Sequence, residues 1–236
     1  MEIKRPLAYR ARPKVLDEVV GQNHLLGKNG VIKRMVDNDQ MFSMILYGPP
    51  GTGKTTIATV IGEKFGLNTF KFNASTDKKA HLSEIIKVSI NYGALLIVDE
   101  IHRMNKDVQD FLLPHIEAGN IIMIGLTTNN PYHSVNPAVR SRTHVLKLQG
   151  ISEDDIVKRL KQVEIAFKEE LKCSLDQEVY EYIAKTSNNE IRTALNSLEI
   201  LNMSFEDINI TLEMAKTVIM KPSLSLDKNE DNYFNI

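Results

Sequence analysis

The sequence has no apolar run approaching the roughly 18 residues that a membrane-spanning helix needs, so nothing in it reads as a span. The segment from Met1 to Arg12 is basic and polar and lacks the apolar stretch of a secretory signal. Cysteine is nearly absent. With Cys173 alone an internal disulfide is impossible, and a reducing compartment is the natural home. Together these features predict a cytoplasmic protein without membrane contacts. An excess of one charge is lacking too: 29 Lys and Arg face 30 Asp and Glu, a formal net charge of -1. No global basic field advertises nucleic acid, and any such contact has to come from a local patch. The six histidines show no metal-ligand spacing, which argues against zinc. There is no internal repeat and no low-complexity segment.

What is present is an ordinary globular composition, 42% hydrophobic and 25% charged over 236 residues, enough chain to bury a real core. Five short apolar runs stand out: Met44–Tyr47, Thr69–Phe72, Leu95–Val98, Ile121–Leu126 and His144–Leu148. They lie about 25 residues apart, the room that a strand, a helix and two loops need. Leu95–Val98 and Ile121–Ile124 are apolar at every position, as strands are when a parallel sheet is covered on both faces. Between the runs, Thr55–Phe65 carries Ile57, Ile61 and Phe65 at helical spacing, with Gly66 placed to end the helix. Asp107–Glu117 sets Val108, Phe111, Leu112 and Ile116 on one face, and Pro114 is expected to kink it.

After Gly150 the pattern becomes helical. Ser152 and Asp155 form a capping-box-like start to a helix reaching about Lys172. Further helices are expected from about Asp176 to Lys185, from a second capping-box spacing at Ser187 and Glu190 to about Asn202, and over Leu212–Met220. No strand signal interrupts them. The prediction is an α/β core over residues 1–150, a small helical subdomain over 151–220 and a polar tail over 221–236.

The chemistry is concentrated in three segments. Gly48-Pro49-Pro50-Gly51-Thr52-Gly53-Lys54-Thr55 matches the phosphate-binding loop G-x-x-x-x-G-K-[ST] and sits between a predicted strand and a predicted helix. Its glycines let backbone N–H groups turn inward around phosphates, Lys54 adds a point charge, and Thr55 offers a hydroxyl to Mg²⁺. Leu95–Val98 then ends in Asp99 and Glu100. Asp99 suits the Mg²⁺ shell, and Glu100 suits the base that orients and deprotonates a water for in-line attack on a γ-phosphate. Such acidic pairs are common after strands; one strand–helix–strand–helix interval past a phosphate loop, the pair gains weight. Thr127-Thr128-Asn129-Asn130 ends the next buried strand, where parallel sheets present residues to ligands, so Thr128 is a candidate contact for the water or the γ-phosphate.

With these residues in hand the chain resembles AAA+ ATPases of the clamp-loader clade. Within it, the chain is most similar to the family of replication-associated recombination protein A and the Mgs/WRN-interacting ATPases. The resemblance is carried by Leu7-Ala-Tyr-Arg-Ala-Arg-Pro13 with Val19-Val-Gly-Gln22, by Gly48–Thr56, and by Asp99-Glu-Ile-His-Arg103. It continues through Gln109–Glu117, Thr127-Thr-Asn-Asn-Pro131, Ser141-Arg142 and Glu190-Ile-Arg-Thr-Ala-Leu-Asn196, and so covers nearly the whole chain. It implies a P-loop AAA+ module: a five-stranded parallel sheet flanked by helices, followed by a small all-α lid. It implies ATP and Mg²⁺ as ligands, with Thr56 joining the loop's contacts and with Val20 and Gly21, and the Arg12-Pro13 segment before them, walling the adenine. Thr128 is then the sensor-1 residue, Arg192 the lid arginine that closes on the nucleotide of its own chain, and Arg142 the finger reaching a neighbour's γ-phosphate, with Arg140 as a rival.

The resemblance further implies an ATPase linked to DNA, forked or at single-stranded/duplex junctions, in replication-fork maintenance and recombination. Single-stranded-DNA-binding protein or replisome components are the implied partners, self-association the implied assembly, tetrameric at full length, and the nucleoid the implied place. Two departures stand out. Asn129 occupies a position where the family usually has Glu, and Asp227–Tyr233 resembles the entry to a C-terminal oligomerisation domain, with the sequence stopping at Ile236. A nucleotide-gated binding module, a clamp-loader subunit and a branch-migration motor of the RuvB type are the competing readings. Glu100 argues against the first, and the proline of Thr-Thr-Asn-Asn-Pro with the Gln-Asp-Phe-Leu-Leu-Pro helix argues against the last. His102 reads as structural rather than as a base. Lys4, Arg5, Arg10, Arg12 and Lys14 form a basic cluster fit for DNA phosphates or for the nucleotide site, and the charges of Lys158–Lys172 read as a solvated helix face.

Overall fold

The computed structural model describes residues 4–206 and 208–219. The polar tail, with the Asp227–Tyr233 segment, lies outside the described residues. The chain opens with short helices α1 (Leu7–Arg10), α2 (Asn23–Leu26) and α3 (Val31–Asp37). Strands and helices then alternate: β1 (Met44–Tyr47), α4 (Lys54–Lys64), β2 (Thr69–Asn73), α5 (Lys79–Tyr92), β3 (Ala94–Asp99), α6 (Lys106–Glu117) and β4 (Ile121–Thr127). The single turns α7 (Pro131–Ser134) and α8 (Pro137–Arg140) lead to β5 (His144–Lys147). The five strands form one parallel sheet in the order β2-β3-β4-β1-β5, and all five coincide with the apolar runs of the sequence.

Burial on both faces explains why the central strands are apolar throughout. Successive residues enter opposite cores. Met44, Leu46, Leu95, Ile97, Ile124 and Leu126 pack with Ile32 and Met35 of α3 and Ile57 and Ile61 of α4. Ile45, Leu96, Val98 and Met123 pack with Leu82, Ile85 and Ile86 of α5 and Leu112 of α6. A strand in that position has no solvent face on which a polar residue costs nothing.

Helix α4 lies close to the sheet at Gly62, where an added Cβ would stand 2.6 Å from Thr69 Oγ1 and 2.8 Å from Leu95 Cδ2. Gly62→Ala gains about 1 kcal/mol of helix propensity and loses about 1–3 kcal/mol to overpacking. The expected result is a small net loss, seen as a lower urea midpoint at unchanged m-value. A higher midpoint would show that the contact yields freely.

Helix α6 runs through Pro114 to Glu117, and the Ala118 N–H donates to the Pro114 carbonyl (3.0 Å), closing its last turn. One local expectation is corrected. Ser187 does not cap a following helix. After β5 come α9 (Glu153–Ala166), β6 (Ser174–Leu175), α10 (Gln177–Thr186), α11 (Ile191–Ser204), β7 (Asn209–Ile210) and α12 (Leu212–Val218). Ser187 closes α10, its hydroxyl donating to the Ala184 carbonyl (2.7 Å). Asn188 and Asn189, at φ 51° and 62°, then turn the chain before α11 starts. Ser152 does cap α9: its Oγ accepts the Asp155 N–H and donates to Asp155 Oδ2, so the side chain of Asp155 returns to the serine hydroxyl rather than to its backbone N–H. Strands β6 and β7 pair in parallel over two residues each, too short to show as a pattern in the sequence.

The helical region has its own core, with Ile156, Leu160, Val163, Val179, Ile183 and Leu198 among its buried members. Leu7, Ala11 and Val20 belong to that core, so the N-terminal segment packs on the helices of the lid. Arg10 fastens it further, pairing with Glu170 and, at 3.4 Å, with Glu199. Glu170 is held below the usual carboxylate pKa range chiefly by its hydrogen bond from Arg10. At the passage from sheet to lid, the buried Gln22 side chain clamps the backbone of Gln149, donating to its carbonyl (2.7 Å) and accepting its N–H (3.0 Å).

Candidate functional site

Strand β1 lies between β4 and β5, away from β2, so the strand order reverses beside it, and open parallel sheets place ligands at such points. The phosphate loop leaves β1 there. The Gly48 N–H donates to the Thr127 carbonyl at the end of β4 (3.2 Å), tying the loop's start to the neighbouring strand. Gly53, at φ 95°, precedes α4 and sets Lys54, Thr55 and Thr56 in the helix's first turn, where free N–H groups and the helix dipole favour an anion. Gly51, at φ 70°, leaves no room for a side chain: a Cβ there would meet Glu190 Cβ at 2.8 Å. Lys54 folds over the loop and donates to the carbonyls of Gly48 and Pro49, both at 2.8 Å. Burial holds its pKa below the ordinary lysine value, against the opposing pull of Glu100 and Asp99, with Arg192 adding to the depression. The lysine's hydrogen bonds therefore run to neutral carbonyls, in a position where an anion would relieve its desolvation.

A cleft of about 270 Å³ brings the candidates together. Pro50, Gly51, Thr52, Gly53, Lys54, Thr55 and Thr56 line it from the loop, Asp99 and Glu100 from the end of β3, and Thr128 from the end of β4. Arg192, in the first turn of α11, reaches it from the lid, and Val20 with Val19 forms part of its wall. Gly48, Pro49 and Gly21 are not among its lining residues. Gly21 instead backs onto the lid, an added Cβ lying 3.0 Å from Ile151 Cδ1. Glu100 sits at φ 52°, and its N–H donates to Asp99 Oδ1 (3.0 Å), leaving the other Asp99 oxygen free. Among the described residues no three His, Cys, Asp or Glu side chains gather as a metal cage.

Arg142 and Arg140 are not brought into this cleft. Arg142 pairs with Glu117 and donates to the Ala138 carbonyl at 2.8 Å, and it is partly exposed. Arg140 donates to the Val135 carbonyl (3.2 Å) and lies over the Tyr132 ring. Of the basic cluster, Lys4 and Arg10 are spent on Glu170, while Arg5 and Arg12 both stack on Tyr9, each 4.7 Å from its centroid, and Arg12 also lines the cleft.

Sequence reasoning missed Arg159, which departs from the solvated face expected of Lys158–Lys172. It is buried, donates to the Ala11 carbonyl (2.6 Å), and lines the cleft. Its spacing gave the signal: it shares a helix face with Ile156, Leu160 and Val163. Glu18 and Glu190 were also missed as neighbours of the cleft and of the loop.

Residues 11–138 match the model of the Holliday junction DNA helicase RuvB P-loop domain, and residues 168–236 match an AAA C-terminal domain. Replication-associated recombination protein A of Bacillus subtilis is 39% identical over 98% of this chain and 57% of its own length. The protein of the same name from Escherichia coli K12 is 39% identical over 98% of this chain and 55% of its own. The chain thus spans little more than half of these curated relatives. Among solved structures, the Thermotoga maritima RuvB Holliday junction branch migration motor superposes with a TM-score of 0.75 at 25% identity, covering 88% of this chain and 72% of that one. With the P-loop model over its first half and such relatives over nearly its whole length, the chain belongs to the AAA+ P-loop ATPases and, within them, to the replication-associated recombination protein A family.

Proposed function

We propose that the chain binds Mg-ATP in this cleft and hydrolyses it, as the motor portion of a DNA-linked ATPase that serves replication forks and recombination. The observation that carries this reading is the meeting of Lys54, Thr55, Asp99, Glu100, Thr128 and Arg192, from three strand ends and the lid, around one cleft. In it, Lys54 and the N–H groups of the loop hold the outer phosphates, and Arg192 closes on them from the lid. Glu100 takes a proton from the attacking water, and Thr128 orients it. Thr55 and the free oxygen of Asp99 suit Mg²⁺, a hard cation that completes its shell with waters and substrate phosphates rather than with a protein cage. Held there, Mg²⁺ would supply positive charge beside the outer phosphates. Val20 stands at the base end, with Gly21 behind it.

The DNA part of the proposal draws on the relatives, whose names place them in replication-associated recombination and branch migration. Forked DNA or a single-stranded/duplex junction is the substrate this favours, in the nucleoid, with single-stranded-DNA-binding protein or replisome components as companions and self-association up to a tetramer for the longer protein. Of the basic cluster, Arg5 and Arg12, stacked on Tyr9, and Lys14 are not paired to Glu170. The test is ATP turnover with single-stranded, duplex and forked DNA. Forked DNA is expected to stimulate it most. Turnover indifferent to all three would contradict the DNA link, and no turnover under any condition would favour a nucleotide-gated binding module.

A further inference from the structure

Beside the cleft, but not lining it, the His102 imidazole stands between two polar partners. Its Nδ1 lies 3.2 Å from Glu100 Oε2 and 3.0 Å from Thr127 Oγ1. The ring is largely buried and Thr127 is fully so. Its placement follows from the backbone. After Glu100 the chain makes a 3₁₀ turn, Ile101–Arg103, and Ile101 packs onto β4 at Gly125, where an added Cβ would lie 2.8 Å from Ile101 Cδ1. The turn is thereby seated on β4, and His102 falls beside Thr127, two residues further along that strand.

We infer that His102 is the positioning residue of Glu100, holding the carboxylate through Nδ1 and linking it to the end of β4 that carries Thr128. One nitrogen faces both partners. As an N–H it serves Glu100 Oε2 or Thr127 Oγ1; as a bare nitrogen it accepts from the Thr127 hydroxyl and releases Glu100. Thr127 Oγ1 also accepts the Asn129 N–H at 3.0 Å, so the choice made at His102 is tied to the backbone of the loop that follows Thr128. The carboxylate therefore has two settings, held toward His102 or free toward the cleft, and the loop contacting the nucleotide is connected to the choice. The inference rests on Glu100 being the base.

His102→Leu removes the contact and His102→Asn keeps a polar nitrogen or oxygen at the same two bonds beyond Cβ. For His102→Leu, kcat is expected to fall about 10- to 100-fold, the scale of a misplaced catalytic group, with the affinity for a fluorescent ATP analogue unchanged within about twofold. His102→Asn should return to within about threefold of the parent, and His102→Leu on a Glu100→Gln background should cause no further loss. Should His102→Leu not fold, His102→Gln takes its place, because its amide lies one bond too far and should remain slow where His102→Asn recovers. Parental turnover in His102→Leu, equal rates for His102→Asn and the slow variant, or a full additional loss on the Glu100→Gln background overturns the inference alone. Parental turnover in Glu100→Gln overturns the base assignment itself, and this inference with it.

Discussion

Arg142→Ala and Glu100→Gln chains, each nearly inactive alone, are expected to hydrolyse ATP when mixed. Arg142 does not line the cleft of its own chain. It sits just beyond α8, partly exposed and held by Glu117 and the Ala138 carbonyl, whereas Arg192 lines the cleft from the lid. An arginine placed outward acts on a neighbour's γ-phosphate or on none, and such a finger is worth about 10³–10⁵ in rate. An Arg142→Ala chain keeps its base and lacks only the finger given to its neighbour; a Glu100→Gln chain can lend one. Parent turnover per chain should rise with protein concentration, because mass action supplies the neighbour, and the Arg142→Ala chain alone should show no such rise. Failure to recover activity where light scattering shows mixed oligomers would remove the role from Arg142. Arg140, now bonded to the Val135 carbonyl and stacked on Tyr132, would then be the candidate.

Glu100→Gln by itself should bind Mg-ATP as the parent does and release phosphate about 10²–10⁴ times more slowly, the usual contribution of a general base. The amide keeps the shape of the side chain and can still meet His102, so neither the cleft nor the turn is disturbed; only the capacity to take a proton is lost. Phosphate release at saturating nucleotide reads the rate, and analogue titration reads the binding. Parental release would mean that another group activates the water.

The sheet was legible because its strands are buried twice over. Leu95–Val98 and Ile121–Ile124 alternate between two cores, and that geometry forces unbroken apolar runs. The phosphate loop was legible because backbone conformation, not packing, fixes its glycines. Helix α5 is implied only by the spacing of the strands: Leu82, Ile85, Ile86 and Ser89 keep a helical spacing, but Val88, Ile90 and Tyr92 on its exposed side blur the contrast between faces. The start of α11 was misplaced because Ser187 and Glu190 have the spacing of a capping box, and nothing local says that two asparagines with positive φ intervene. In the site, the loop and the two carboxylates could be placed from strand ends alone. The partnership of His102 with Thr127 depends on how a 3₁₀ turn seats on Gly125, a contact between residues 24 apart in sequence, so no motif encodes it. Arg159 is hidden for a different reason: its charge points to solvent, while its position lies on an apolar helix face.

In the proposed function, nucleotide binds in the cleft around Lys54. Titration of a fluorescent ATP analogue with Mg²⁺ into the parent and into Lys54→Ala tests it most directly. The substitution removes the charge at the outer phosphates and, with it, roughly 1.5–4 kcal/mol of charge-assisted contact, so affinity should fall about ten- to a thousandfold. Equal affinity in the two chains would contradict the claim.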